Sequence, residues 1–161
     1  MMSPSFKVTS PLKNTLSGFS LLEVLITLVI LAIGLLGLAG LQATGLKNNL
    51  SAYHRSQATQ LSYEIADKMR SNLSAISTYA TLNPTSAVAK PACKAVAGIC
   101  SDTDMAQNDL FEWNSKISTT LPSGAGLITQ ATSSYTISIT WDDDRDGDNT
   151  NNINFRTSIQ P

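Results

Sequence analysis

From Phe19 to Leu46 the chain is predominantly apolar, with Glu23 as the only charge in that stretch. Those 28 residues would make a helix about 42 Å long at the usual rise per residue. The hydrocarbon core of a bilayer needs roughly 20 residues, so the pattern predicts one membrane span. A cleavable secretory signal has an apolar region of only about 7–15 residues and fits poorly. Past Lys47 polar residues enter, and apolar ones recur mostly at three- or four-residue steps. Leu46, Leu50, Tyr53, Leu61, Ile65, Met69 and Leu73 form this stripe, with Ala58 and Ala66 near the same face. That is an amphipathic helix. Residues 19 to about 72 therefore read as a single helix near 80 Å long, its first half in lipid and its second half packed on a domain. His54 and Arg55 fall on the polar side, a surface position for the sole histidine.

Residues 74–103 are rich in Ala, Ser, Thr and Pro and show no sustained period, which predicts a loop. Asp102 or Asp104 could cap a short helix running to about Ser118. Ala106, Leu110, Trp113 and Ile117 would share one face of it. Pro122-Ser123-Gly124 turns the chain. Three strands follow: Gly126–Gln130, Ser134–Trp141 and Ile153–Ile159. The second alternates cleanly, with Tyr135, Ile137, Ile139 and Trp141 against Thr136, Ser138 and Thr140. An antiparallel sheet with one apolar side needs a cover, and the stripe of the long helix supplies it. The predicted class is α+β.

Composition sharpens the functional picture. Mean hydropathy is +0.01, a value that conceals the split between apolar head and polar remainder. Charged residues are 14 % of the chain, and 11 basic residues nearly balance 12 acidic ones. This excludes a strongly basic nucleic-acid binder. One histidine and two cysteines leave no Ser/His/Asp, Cys/His or paired-carboxylate arrangement, so no enzyme is expected. The segment before the span carries Lys7 and Lys13 and no acid. Positive flanks stay cytoplasmic, which puts the N-terminus inside and residues from about 47 outside. Cys93 and Cys100, in the exterior part, should then oxidise to a disulfide. Between strands two and three, Asp142, Asp144, Asp146 and Gly147 match the opening D-x-D-x-D-G of a calcium loop. The acid expected eleven residues after Asp142 is replaced by Ile153, so a solvated hairpin turn is the alternative, and no other cofactor is expected.

Glu23 is the anomaly of the span, because a carboxylate there costs about 2.5–3.5 kcal/mol on insertion scales. It belongs to a motif. Gly18-Phe19-Ser20-Leu21-Leu22-Glu23 follows the short basic leader and opens the apolar run. This resembles the class III signal of type IV prepilins. The resemblance implies cleavage between Gly18 and Phe19 by a membrane-embedded prepilin peptidase, and methylation of the new amino group on Phe19. It also implies that Glu23 neutralises such an amine, its own or a neighbouring subunit's, when helices bundle. Loss of Lys7 and Lys13 with the leader would take the formal charge from −1 to −3. Gly34, Gly37, Gly40 and Gly45 fit close packing between membrane helices or a locally soft helix.

The end of the long helix, Ala66-Asp67-Lys68-Met69-Arg70-Ser71-Asn72, resembles the A-D-[KR]-M-R-x-N ending found in the PilV family of minor pilins. Trp113, Leu121-Pro122-Ser123-Gly124 and Trp141-Asp142 fit the same family. The resemblance implies a type IV pilin fold divided into a cleaved leader (1–18), a transmembrane and assembly half-helix (19–46) and a periplasmic domain (47–161). Within that domain lie a stalk helix (47–73), a disulfide loop (74–103), and a short helix with the sheet (104–161). It implies an inner-membrane subunit that later joins a surface pilus. Its partners would be other minor pilins, the major pilin, the pilus assembly platform and a PilY-type tip adhesin. A minor pseudopilin of a type II secretion system would share the signal and the helix.

Overall fold

The computed structural model describes residues 18–95, 99–148 and 150–160; the leader residues Lys7 and Lys13 lie outside that range. Helix α1 runs Leu21–Ser71. A 3-10 turn at Leu73–Ala75 leads into α2, Ile76–Thr81. Two further 3-10 turns, Pro84–Ser86 and Pro91–Lys94, precede α3, Asp102–Thr120. Strands β1 (Ala125–Ala131), β2 (Ser134–Trp141) and β3 (Ile153–Ile159) close the chain as one antiparallel sheet in the order β1-β2-β3.

By its internal contacts the chain divides between Thr44 and Gly45. The first unit is the apolar half of α1. An 18-residue window in it has a mean hydropathy of 2.8 and no buried residue, so this helix is long and apolar enough to cross a membrane. The second unit holds the core. Ala58, Leu61, Ile65, Ala66 and Met69 of α1 pack with Ala106, Leu110, Trp113 and Ile117 of α3 and with Ile128, Tyr135, Ile137, Ile139, Trp141 and Ile159 of the sheet. The long N-terminal helix thus covers a small antiparallel sheet, which is the α+β arrangement the sequence predicts.

Two close approaches fix α3 against its neighbours. The indole N–H of Trp113 donates to the Leu61 carbonyl at 2.9 Å, so a buried polar group is satisfied by the α1 backbone. Beneath the same ring lies Gly126, where a Cβ would come within 2.5 Å of the Trp113 Cη2.

The structure corrects several local expectations. The buried stripe of α1 starts at His54. Leu46, Leu50 and Tyr53 are exposed, as is Leu73 beyond the helix end. Their apolar spacing continues that of the span, which is why periodicity alone extends the stripe too far. Between residues 74 and 95, where a loop is expected, lie α2 and two 3-10 turns. Tyr79 of α2 is fully buried, and its hydroxyl donates to Asp109 Oδ2 at 2.6 Å. Ser101, not Asp102 or Asp104, caps α3. Its Oγ accepts from the Asp104 N–H at 3.1 Å and donates to the Asp104 carboxylate at 2.8 Å.

Candidate processing site and polar clusters

At the head of α1, Gly18, Phe19 and Ser20 lie outside the helix. Ser20 is where the helix begins. Its carbonyl accepts from the N–H of Glu23 at 3.0 Å and of Val24 at 3.3 Å. Its Oγ accepts from the Leu22 N–H at 3.3 Å. Ser20 therefore serves as an N-cap, satisfying a donor that has no partner within the helix. Glu23 falls in the first turn, at the positive end of the helix dipole. Its carboxylate has no polar partner among the described residues. Phe19 is 84 % exposed, and among the described residues none beyond its chain neighbours comes within 4 Å of where a Gly18 Cβ would stand. The bond between them is open on every described side. The S-x-x-E spacing of Ser20 and Glu23 was the available signal for this cap.

In the second unit Cys93 and Cys100 form a disulfide. The segment that carries it is tied to α3 by charge. Lys90 pairs with Asp104 at 2.8 Å and Lys94 with Glu112 at 2.6 Å. The Lys90 N–H donates to the Asn108 side chain at 2.9 Å. Glu112 also meets Lys68 of α1 at 3.2 Å, and Lys68 meets the buried Asp109 at 3.0 Å. Lys94 first, then Lys68 and Asn108, overcome partial burial and pull the Glu112 carboxyl down to about 2. Burial would lower the Lys68 ammonium, but Asp109 and Glu112 outweigh it and raise it. Burial and the Asp109 charge push the Tyr79 hydroxyl well above its ordinary value. The stalk-ending motif now has a physical reading. Lys68 turns inward to Asp109, Met69 is buried, and Arg70 pairs with Asp67 at 2.8 Å on the surface.

His54 is buried rather than on the surface. Its Nδ1 lies 3.3 Å from Asp143 Oδ1, the same oxygen that accepts the Trp141 indole N–H at 3.0 Å. Burial would raise the Asp143 carboxyl, but bonds from Ser51, Trp141 and His54 prevail and hold it low. Nothing in the helical period distinguishes an inward from an outward histidine at the end of a stripe.

The acidic loop brings Asp142, Asp144 and Asp146 together, with one carboxylate oxygen of each within 4.8 Å of the others. These are the residues that could hold a cation. Asp142 is itself buried and uses both oxygens on backbone, accepting from Arg145 at 2.7 Å and Gly147 at 3.1 Å. The Asn151 amide bridges Asp144 at 3.3 Å and Asp146 at 3.2 Å. Arg145 and Gly147 adopt positive φ, 57° and 78°, to let the loop close around Asp142.

Comparison with known families gives two matches. Residues 14–39 match the prokaryotic N-terminal methylation motif. Residues 40–111 match the Tt1218-like family, described as type IV pilin Tt1218. The second match covers the stalk part of α1, α2, the disulfide segment and the first half of α3. No curated protein and no solved structure matches the chain.

Proposed function

We propose that the chain, which matches the N-terminal methylation motif over residues 14–39 and a type IV pilin family model over residues 40–111, is a minor pilin of the PilV type. It is a subunit that helps to prime pilus assembly and sits at or near the tip. The observation that carries the reading is the head of α1. A non-helical Gly18-Phe19-Ser20 segment stands before the uncovered apolar half of α1, in which Glu23 is the sole charge. Hydrolysis of the Gly18–Phe19 amide by a prepilin peptidase adds one water, leaving a carboxylate on Gly18 and an ammonium on Phe19. That cation lies four residues from Glu23. A carboxylate in a bundle of apolar helices requires such a counter-charge, and methylation of the amine keeps it cationic.

The exterior domain is held to the stalk by the ion pairs of Lys68 with Asp109 and with Glu112. The PilV reading rests on the stalk ending, Ala66 to Asn72. The test is mass spectrometry of sheared surface filaments. A peptide beginning at methylated Phe19, present far below the level of the major pilin, is the expected result. A chain that retains Gly18 in the mature filament would overturn the processing claim. Recovery with a secretion apparatus rather than with pili would favour a pseudopilin.

A further inference from the structure

We propose that Ser20 is a positioning residue for prepilin processing: by capping α1 it ends the helix two residues after the scissile bond and keeps that bond available in non-helical form. The inference rests on the functional reading above and extends it to a residue that reading does not use.

The geometry is local and specific. α1 begins at Leu21. Three bonds converge on Ser20: Leu22 N–H to Oγ at 3.3 Å, and Glu23 and Val24 N–H to the carbonyl at 3.0 and 3.3 Å. A cap residue typically takes non-helical backbone angles, and Gly18, Phe19 and Ser20 all lie outside the helix. Phe19 and Gly18 then precede it free of helical hydrogen bonds. Ala is the strongest helix former and has no side-chain acceptor. Ala at position 20 keeps the two bonds to the carbonyl but loses the one from the Leu22 N–H, so the first turn can extend back over Phe19 more readily. The Gly18–Phe19 amide would then spend part of its time in a helical turn, where a protease cannot align it. The apparent affinity of a ligand for a partly populated state falls by that fraction.

The experiment compares cleavage of the full-length chain in detergent micelles by purified prepilin peptidase for wild type, Ser20→Ala and Ser20→Asn. Asn caps as well as Ser but has no hydroxyl. The expected result is a roughly fivefold fall in kcat/KM for Ser20→Ala, the fold-change set by one lost cap. It should be carried by KM, with Ser20→Asn close to wild type. Amide exchange at Leu22 should accelerate in Ser20→Ala alone. Wild-type rates for Ser20→Ala overturn the inference, and so does a Ser20→Asn variant as slow as Ser20→Ala, because recognition would then be of the hydroxyl. If wild type itself is not cut at Gly18–Phe19, the functional reading falls and the processing role of Ser20 falls with it, whereas a Ser20→Ala effect absent on a cleavable wild type strikes the inference alone.

Discussion

The imidazole of His54 and the carboxylate of Asp143, 89 positions apart in sequence, meet at 3.3 Å inside the second unit. The pair joins the stalk helix to the loop that follows β2. Trp141 donates to the same carboxylate oxygen, so the histidine, the strand end and the loop share one anchor. A neutral imidazole can donate to Asp143 only with its proton on Nδ1. Removing the ring leaves a buried cavity and an Asp143 with one partner fewer. His54→Ala should destabilise the domain by about 1–3 kcal/mol. Thermal unfolding of the detergent-solubilised chain measures it, and an unchanged Tm would show that the contact is incidental.

Trp113 over Gly126 gives a second prediction. A Cβ at position 126 would stand 2.5 and 2.6 Å from two indole carbons and 2.7 Å from Ile117 Cδ1. The ring cannot retreat, since its N–H is tied to Leu61. Gly126→Ala should therefore cost about 1–3 kcal/mol through overpacking. Urea unfolding should show a lower midpoint with an unaltered slope.

The Cys93–Cys100 bridge closes a short loop at a sequence separation of 7. Its loss should cost about 2–3 kcal/mol on the chain-entropy account. Replacing both cysteines by serine should lower Tm accordingly, and non-reducing peptide mapping should find the two linked in wild type. Because Lys94 adjoins Cys93 and pairs with Glu112, the same variant should also weaken that ion pair.

Glu112 supplies a pH dependence. Its carboxyl is drawn from 4.5 to about 2, so the folded chain holds the proton less tightly than the unfolded one. The stabilisation is present above about pH 4.5 and is lost as pH falls towards 2. Lys94 is 63 % exposed, so solvent reduces the effect to on the order of 1 kcal/mol. Wild type should be more stable than Glu112→Gln at pH 7, and the gap should narrow below about pH 4.5 and close near pH 2. A constant gap across that range would assign the difference to packing.

The strong periods of the sequence carried most of this fold. Strand β2, with its strict alternation from Ser134 to Trp141, and β3 are where their pattern places them, and the span follows from length and charge alone. What remained hidden was decided by tertiary contacts. Tyr79 sits in a stretch without period, yet it is buried because Asp109 meets its hydroxyl. His54 lies at the edge of the stripe, where inward and outward differ by tens of degrees of helix rotation, and only the position of Asp143 selects one. The caps at Ser20 and Ser101 were legible as S-x-x-E and S-x-x-D spacings.

Glu23 is the sharpest test of how the subunit enters a filament. It lies in the first turn of α1, three residues after the cap at Ser20. Two roles are open to a carboxylate there. It can favour the helix start through the dipole, worth typically 0.3–1 kcal/mol, or it can hold the amine of a processed Phe19. Glu23→Gln separates them. The amide keeps the size and some hydrogen bonding but loses the charge. Membrane insertion should be unharmed or slightly easier, because the cost of carrying a charge into lipid falls. Cleavage at Gly18 should persist, since the cap at Ser20 is intact. If the charge serves only the helix, the filament content should hardly change. If it neutralises a partner's amine, that cation is left buried and unpaired, a penalty of several kcal/mol. The expected outcome is normal processing with a strong fall in the ratio of sheared-filament to membrane-bound protein. A processed variant with a wild-type ratio would confine Glu23 to the helix start.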